Sequence, residues 1–152
     1  MASIRFFLTL VVALWTASGL AHAQDRPISP GVPVSRSISG QDVHTYTFQA
    51  ARNHVVTFVA LQKGVDVTVR LLAPNGATIA ERDSPNGADG PEQITAIAEA
   101  AGTYRVEVRK LVPHDPSTTG VYEALLVEVR PATPKELERH AVEKELLVLE
   151  QQ

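Results

Sequence analysis

The hydrophobic pattern of the chain changes period once, near residue 132. From about residue 31 to residue 130, apolar residues alternate with polar ones in short β-branched runs, divided by Gly, Pro, Asn and Asp at roughly ten-residue spacing. That rhythm predicts about eight strands of a sandwich or barrel. The first strand, "VPVSRSIS" at 32–39, is weak and closed by Gly40. "VHTYTFQA", 43–50, puts His44, Tyr46 and Phe48 on one face and Val43, Thr45 and Thr47 on the other. "HVVTFVALQ", 54–62, is apolar on both faces, as expected of a central strand covered on both sides.

"DVTVRLLA" sets Val67, Val69 and Leu71 against Asp66, Thr68 and Arg70, and "PNG", 74–76, joins it to "ATIAERD". Asn-Gly favours the positive φ angles of a tight hairpin turn. "EQITAIAEA" turns Ile94 or Ile97 inward. "TYRVEVRKL", 103–111, places Tyr104, Val106 and Val108 inside and Arg105, Glu107 and Arg109 outside, as a solvated strand face. "VYEALLVEV", 121–129, is the last strand.

Beyond it the period lengthens to 3.6. Thr133, Pro134 and Glu136 form a Thr-x-x-Glu capping box with proline at the first helical position, predicting a helix from 134 to about 150. At 100° per residue, Leu137, Ala141 and Val148 make one stripe and Val142, Leu146 and Leu149 another. Leu137, Val142, Leu146 and Leu149 are therefore the candidate partner-binding residues, through a protein partner or self-association. The competing reading is that the helix folds back on its own sandwich.

The first residues follow neither rhythm. Arg5, an apolar run of about ten residues at 6–15 and the small-x-small Ala21-His22-Ala23 resemble a secretory signal peptide. The run is well short of the ~20 residues that span a bilayer. The expected organisation is a signal peptide at 1–23, a linker at 24–31, the sandwich at 32–130 and the helical segment at 131–152, in a periplasmic or secreted protein. Without Arg5 the chain carries 13 basic against 17 acidic residues, a charge of −4. That balance disfavours nucleic acid as a partner. Cysteine is absent, which excludes disulfides, thiolate nucleophiles and cysteine-bound zinc.

Candidate chemistry is sparse. In "DSPNGADGPE", 83–92, Asp83, Asn86 and Asp89 offer three oxygens for calcium. Their spacing is not that of an EF-hand, and Asp, Pro, Asn and Gly also simply build turns. A calcium-dependent sandwich is the second reading, although no cofactor is assigned. His44, His54 and His114 show no metal-ligand spacing. His140 follows Glu136 by one helical turn, as in a solvated pair. No G-x-S-x-G or S-x-x-K occurs, so no catalytic residue is assigned. A third reading, a hydrolase, would assemble scattered residues such as His44, His114 and Asp115. Aromatics make up 5% of the chain and its one tryptophan, Trp15, lies in the leader, so a stacking platform for sugars or bases is not expected.

Three segments carry a resemblance: "ISGQDVHTYTFQA", "VDVTVRLLAPNGATIAERDSPNG" and "AEAAGTYRVEVRKL". In this order they resemble the bacterial pre-peptidase C-terminal (PPC) domain family, whose pattern falls here on Asp66, Leu71, Pro74, Gly76, Gly102, Tyr104 and Val108. The resemblance spans roughly residues 31–130. It implies an all-β, jelly-roll-like antiparallel sandwich, followed here by one C-terminal α-helix, and a noncatalytic accessory role in exported bacterial proteins. The form with "RPATPKELERHAVEKELL" resembles the module that precedes further domains in larger proteins. Here one helix follows before Gln152, so the module is expected without such a domain. Some relatives bind calcium, and no ligand set is carried over from them.

Overall fold

The computed structural model describes residues 25–111 and 119–149. The leader at 1–23, and His114 and Asp115 of the hydrolase reading, lie outside them. Nine strands and one helix follow in order: β1 (Arg26–Pro27), β2 (Val34–Ser39), β3 (Val43–Ala50), β4 (His54–Lys63), β5 (Val67–Leu72), β6 (Thr78–Arg82), β7 (Asp89–Ala98), β8 (Gly102–Lys110), β9 (Thr119–Pro131) and α1 (Pro134–Leu149).

The strands nest about the turn at residues 74–76. β5 pairs with β6, β4 with β7, β3 with β8 and β2 with β9, all antiparallel. This is one long hairpin rolled into two sheets, the jelly roll. One sheet has the order β1-β3-β8-β5-β6 and the other β2-β9-β4-β7. β1 lies within the stretch read as a linker; it pairs parallel to β3, and Ile28 beside it enters the core.

Alternation sets the core. Tyr46 and Phe48 of β3, Val67, Val69 and Leu71 of β5, and Val106 and Val108 of β8 face Val56 and Phe58 of β4 and Leu126 of β9. Ile94, not Ile97, is the buried isoleucine of β7. β4 is central, between β9 and β7, but its outer face is covered only in part: Val55 and Thr57 are buried while Leu61 is exposed.

The turn differs from the expected Asn-Gly geometry. Gly76 donates to the carbonyl of Ala73 and adopts φ 85°, whereas Asn75 is not among the residues with positive φ. Pro74 and Asn75 form the turn and Gly76 alone takes the left-handed position, as in three-residue hairpin loops. The turn is then clamped from β8. A Cβ on Gly102, at φ 149°, would lie 2.9 Å from Pro74 Cγ, and Tyr104 Oη donates to the Ala100 carbonyl at 2.7 Å. Pro74, Gly76, Gly102 and Tyr104, separate in sequence, thus form one corner. Gly102→Ala is expected to cost about 2 kcal/mol, from backbone strain and overlap with Pro74, read as a lower urea midpoint with unchanged slope.

α1 begins as the capping box requires. Thr133 N–H donates to Glu136 Oε2 at 2.7 Å, and Glu136 N–H returns a bond to Thr133 Oγ1 at 3.3 Å. Glu136 also holds Arg130 at 2.7 Å. That ion pair, with the two Thr133 bonds, keeps its carboxyl far below the usual range. His140 therefore does not pair with Glu136; its Nε2 meets Glu99 Oε1 at 3.0 Å.

Candidate functional site

Residues 83–92 are half loop and half strand, because β7 already begins at Asp89. Glu92 shares the inward phase of Ile94, Ala96 and Ala98, and its side chain is fully buried. Its Oε2 accepts from the Ser84 amide at 2.9 Å and its Oε1 from Gln62 Nε2 at 3.3 Å. Gln62, inward-facing at the end of β4, also donates to Asn86 Oδ1 at 3.1 Å and accepts from the Val67 amide at 2.6 Å. Glu92 and Gln62 therefore fasten the β6–β7 loop to the ends of β4 and β5. Both were missed from sequence, although a glutamate and a glutamine in phase with core residues are a legible signal.

Two of the three calcium candidates already have protein partners. Asn86 is spent on Gln62 and on the Pro91 carbonyl, Asp89 accepts from the Gly64 amide at 3.3 Å, and Asp83 is exposed. Asp66 has a buried Oδ1 without a hydrogen-bond partner among the described residues. Burial first, then the charges of Asp83 and Glu92, push its carboxyl above the ordinary value. Among the described residues no three His, Cys, Asp or Glu are placed to hold a metal ion.

His44 belongs to a buried chain. Tyr46 Oη and Tyr122 Oη lie 2.6 Å apart, and Tyr122 Oη lies 2.8 Å from His44 Nδ1. Burial, then the charge of Arg36, lowers the His44 pKa against the opposing pull of Asp42. Burial thus favours the neutral imidazole, and the Tyr122 hydroxyl bridges His44 Nδ1 and the Tyr46 hydroxyl. This is a satisfied core network rather than an acid–base site. His54 sits at the start of β4 with a buried Nδ1 that has no partner among the described residues.

The helix is the exposed feature. No residue of α1 is buried, and Val142, Leu146, Leu147, Val148 and Leu149 are 52–60% exposed. Leu137 is half-buried near the root of the helix. α1 is tied to the sandwich through Glu99, which meets His140 at 3.0 Å and Lys144 at 2.7 Å. Between the helix and the sheet edges lies a groove of about 730 Å³, lined by Ile79, Ala96, Ile97, Tyr104, Lys144 and Leu147 among others. Of the four candidate partner-binding residues, Val142, Leu146 and Leu149 are thus free to meet another molecule.

Residues 42–110 match the family model of the bacterial pre-peptidase C-terminal domain. The matched stretch holds the corner formed by Pro74, Gly76, Gly102 and Tyr104, so the family resemblance read from the sequence holds there. The pre-peptidase C-terminal domain of a collagenase from Bacillus anthracis is similar in structure, with a TM-score of 0.52 and 22% identity over 68% of this chain and 95% of that one. Also similar is PliG of Aeromonas hydrophila, a periplasmic inhibitor of g-type lysozyme, with a TM-score of 0.53 and 18% identity over 66% and 91%. At these identities the likeness is one of fold. No curated protein matches the chain by sequence.

Proposed function

We propose that this chain is an exported, noncatalytic β-sandwich module that binds a protein partner through the apolar face of α1. The observation that carries the reading is a sixteen-residue helix with no buried residue and five large apolar side chains in solvent. Full burial of such a side chain is worth about 1.5–3 kcal/mol, and with 52–60% of each still exposed roughly half of that remains to be gained against a partner. Export is supported by the leader-like pattern of residues 1–23. The noncatalytic reading is supported by His44, whose ring nitrogen is committed to Tyr122, and by the family match. The similar fold of the Aeromonas hydrophila inhibitor makes a g-type lysozyme the first heterologous partner to try.

The test is the mass in solution of residues 24–152 by light scattering, alone and with a g-type lysozyme, beside a chain truncated after Arg130. Because no helix residue is buried, truncation is expected to move the melting temperature by no more than about 5 °C, while abolishing association. Leu146→Glu in the full chain is expected to abolish it too. A full chain that associates with neither itself nor the lysozyme, together with a truncated one that melts far lower, would show a helix docked on its own sandwich and overturn the reading.

A further inference from the structure

Arg26 and Arg36 meet at the open side of the sandwich between the edge strands β1 and β2, across the sheets from the edge strands β6 and β7. Register places their side chains. Arg26 is paired with Tyr46 and Arg36 with Tyr122, and residues directly opposite in a ladder project from the same face. Tyr46 and Tyr122 both point into the core, where their hydroxyls meet. Buried Ile28, two residues after Arg26, confirms the phase of β1. The arginines therefore leave the inner faces of opposing sheets and line the mouth between them, a cleft of about 320 Å³ whose described lining also includes Asp25 and Pro27.

Among the described residues, both guanidinium groups are unspent. Arg36 lies over the Tyr46 ring, 6.0 Å from its centroid, a contact that steadies the cation without using its N–H donors. Neither arginine forms an ion pair or a side-chain hydrogen bond among the described residues. By contrast Arg70, Arg109 and Arg130 each hold a glutamate. Asp25 lines the same cleft without pairing with either arginine. Two cations facing one cleft repel each other unless an anion stands between them, and planar guanidinium forks match a carboxylate in bidentate geometry. Among the described lining residues, two arginines against one aspartate leave a surplus of one positive charge, and two separate planar forks suit the two carboxylates of a dicarboxylic acid.

We infer that the mouth between β1 and β2 is a carboxylate-binding site in which Arg26 and Arg36 clamp the ligand. The carboxylate comes either from a small dicarboxylic acid or from the acidic side chains of a protein. The site stands apart from α1, so it survives or fails independently of the helix reading.

The full chain would be titrated at low salt with glutarate, with a blocked glutamate-rich peptide and with inorganic phosphate, following Tyr46 and arginine side-chain resonances by NMR. Saturable binding is expected that weakens at least tenfold in Arg36→Gln and in Arg26→Gln and is unchanged in Arg70→Gln. Arg26 is exposed, so its substitution leaves the core intact even if Arg36→Gln loosens the cover of Tyr46. Binding of glutarate supports a small ligand, and binding of the peptide alone supports an acidic partner. Absence of binding to either, affinity indifferent to both substitutions, or tighter binding of phosphate than of glutarate would overturn the assignment.

Discussion

Tyr122→Phe is expected to lower the unfolding free energy by about 3 kcal/mol, because one deleted hydroxyl leaves two buried polar groups without a partner. Tyr122 Oη is the middle of the chain, 2.6 Å from Tyr46 Oη and 2.8 Å from His44 Nδ1, and both tyrosines are fully buried. The ring volume is kept, so no cavity term enters. Urea unfolding would read the loss as a lower midpoint at constant slope. An unchanged midpoint would mean that the chain contributes nothing to stability.

The same network gives the protein a pH dependence with a definite sign. Folded His44 titrates below the ordinary value of 6.5. As pH falls through that value, the unfolded chain takes up a proton that the folded one refuses. Stability is therefore full above about pH 7 and declines as pH falls toward the lowered folded pKa, by at most about 1.4 kcal/mol per unit for one group. Glu99 and Glu136 have lowered pKa values and weaken the fold only below their ordinary value of 4.5. Asp66, raised above 3.8, acts in the opposite sense, adding stability as pH falls through its folded pKa. A midpoint that is flat between pH 7 and pH 5 would contradict a lowered His44.

Glu92→Ala is the second large effect, also about 3 kcal/mol. It strips the acceptor from the Ser84 amide and from Gln62 Nε2, and it leaves a hole where a fully buried side chain stood. Gln62 in turn holds the Val67 amide and Asn86, so the loss spreads to the start of β5 and to the β6–β7 loop. The expected signature is destabilisation together with faster proteolysis between Asp83 and Ala88. Destabilisation without faster cleavage would show that Glu92 supports the core but does not anchor the loop.

Much of the fold is legible because it depends on local pattern. Alternation at 43–50 and 103–111 and the turn at 74–76 fixed strands whose limits differ little from β3, β8 and the β5–β6 connection. The capping box set the start of α1 at Pro134. The brief β1 was not legible: two residues carry no period, and only the parallel partner β3 makes them a strand. His140 and Glu136 looked like a pair by spacing, but Arg130 and Glu99 compete for them from other elements.

The candidate sites divide in the same way. Sequence alone determined the inward faces of β3, β5 and β8, where the chain turns and that α1 has apolar stripes, because periods of 2 and 3.6 are properties of the backbone; it left Ile94 or Ile97 open on β7 and passed over Gln62 and Glu92. Only the tertiary structure decided what those faces meet. It engaged Asn86 with Gln62 and Asp89 with the Gly64 amide, committed His44 to Tyr122 and left Val142, Leu146, Val148 and Leu149 of the α1 stripes largely in solvent. It also brought Arg26 and Arg36 to one cleft from strands in different sheets. Contacts between sheets join residues far apart in the chain, so no local pattern records them; they exist only once the long hairpin has rolled into two layers.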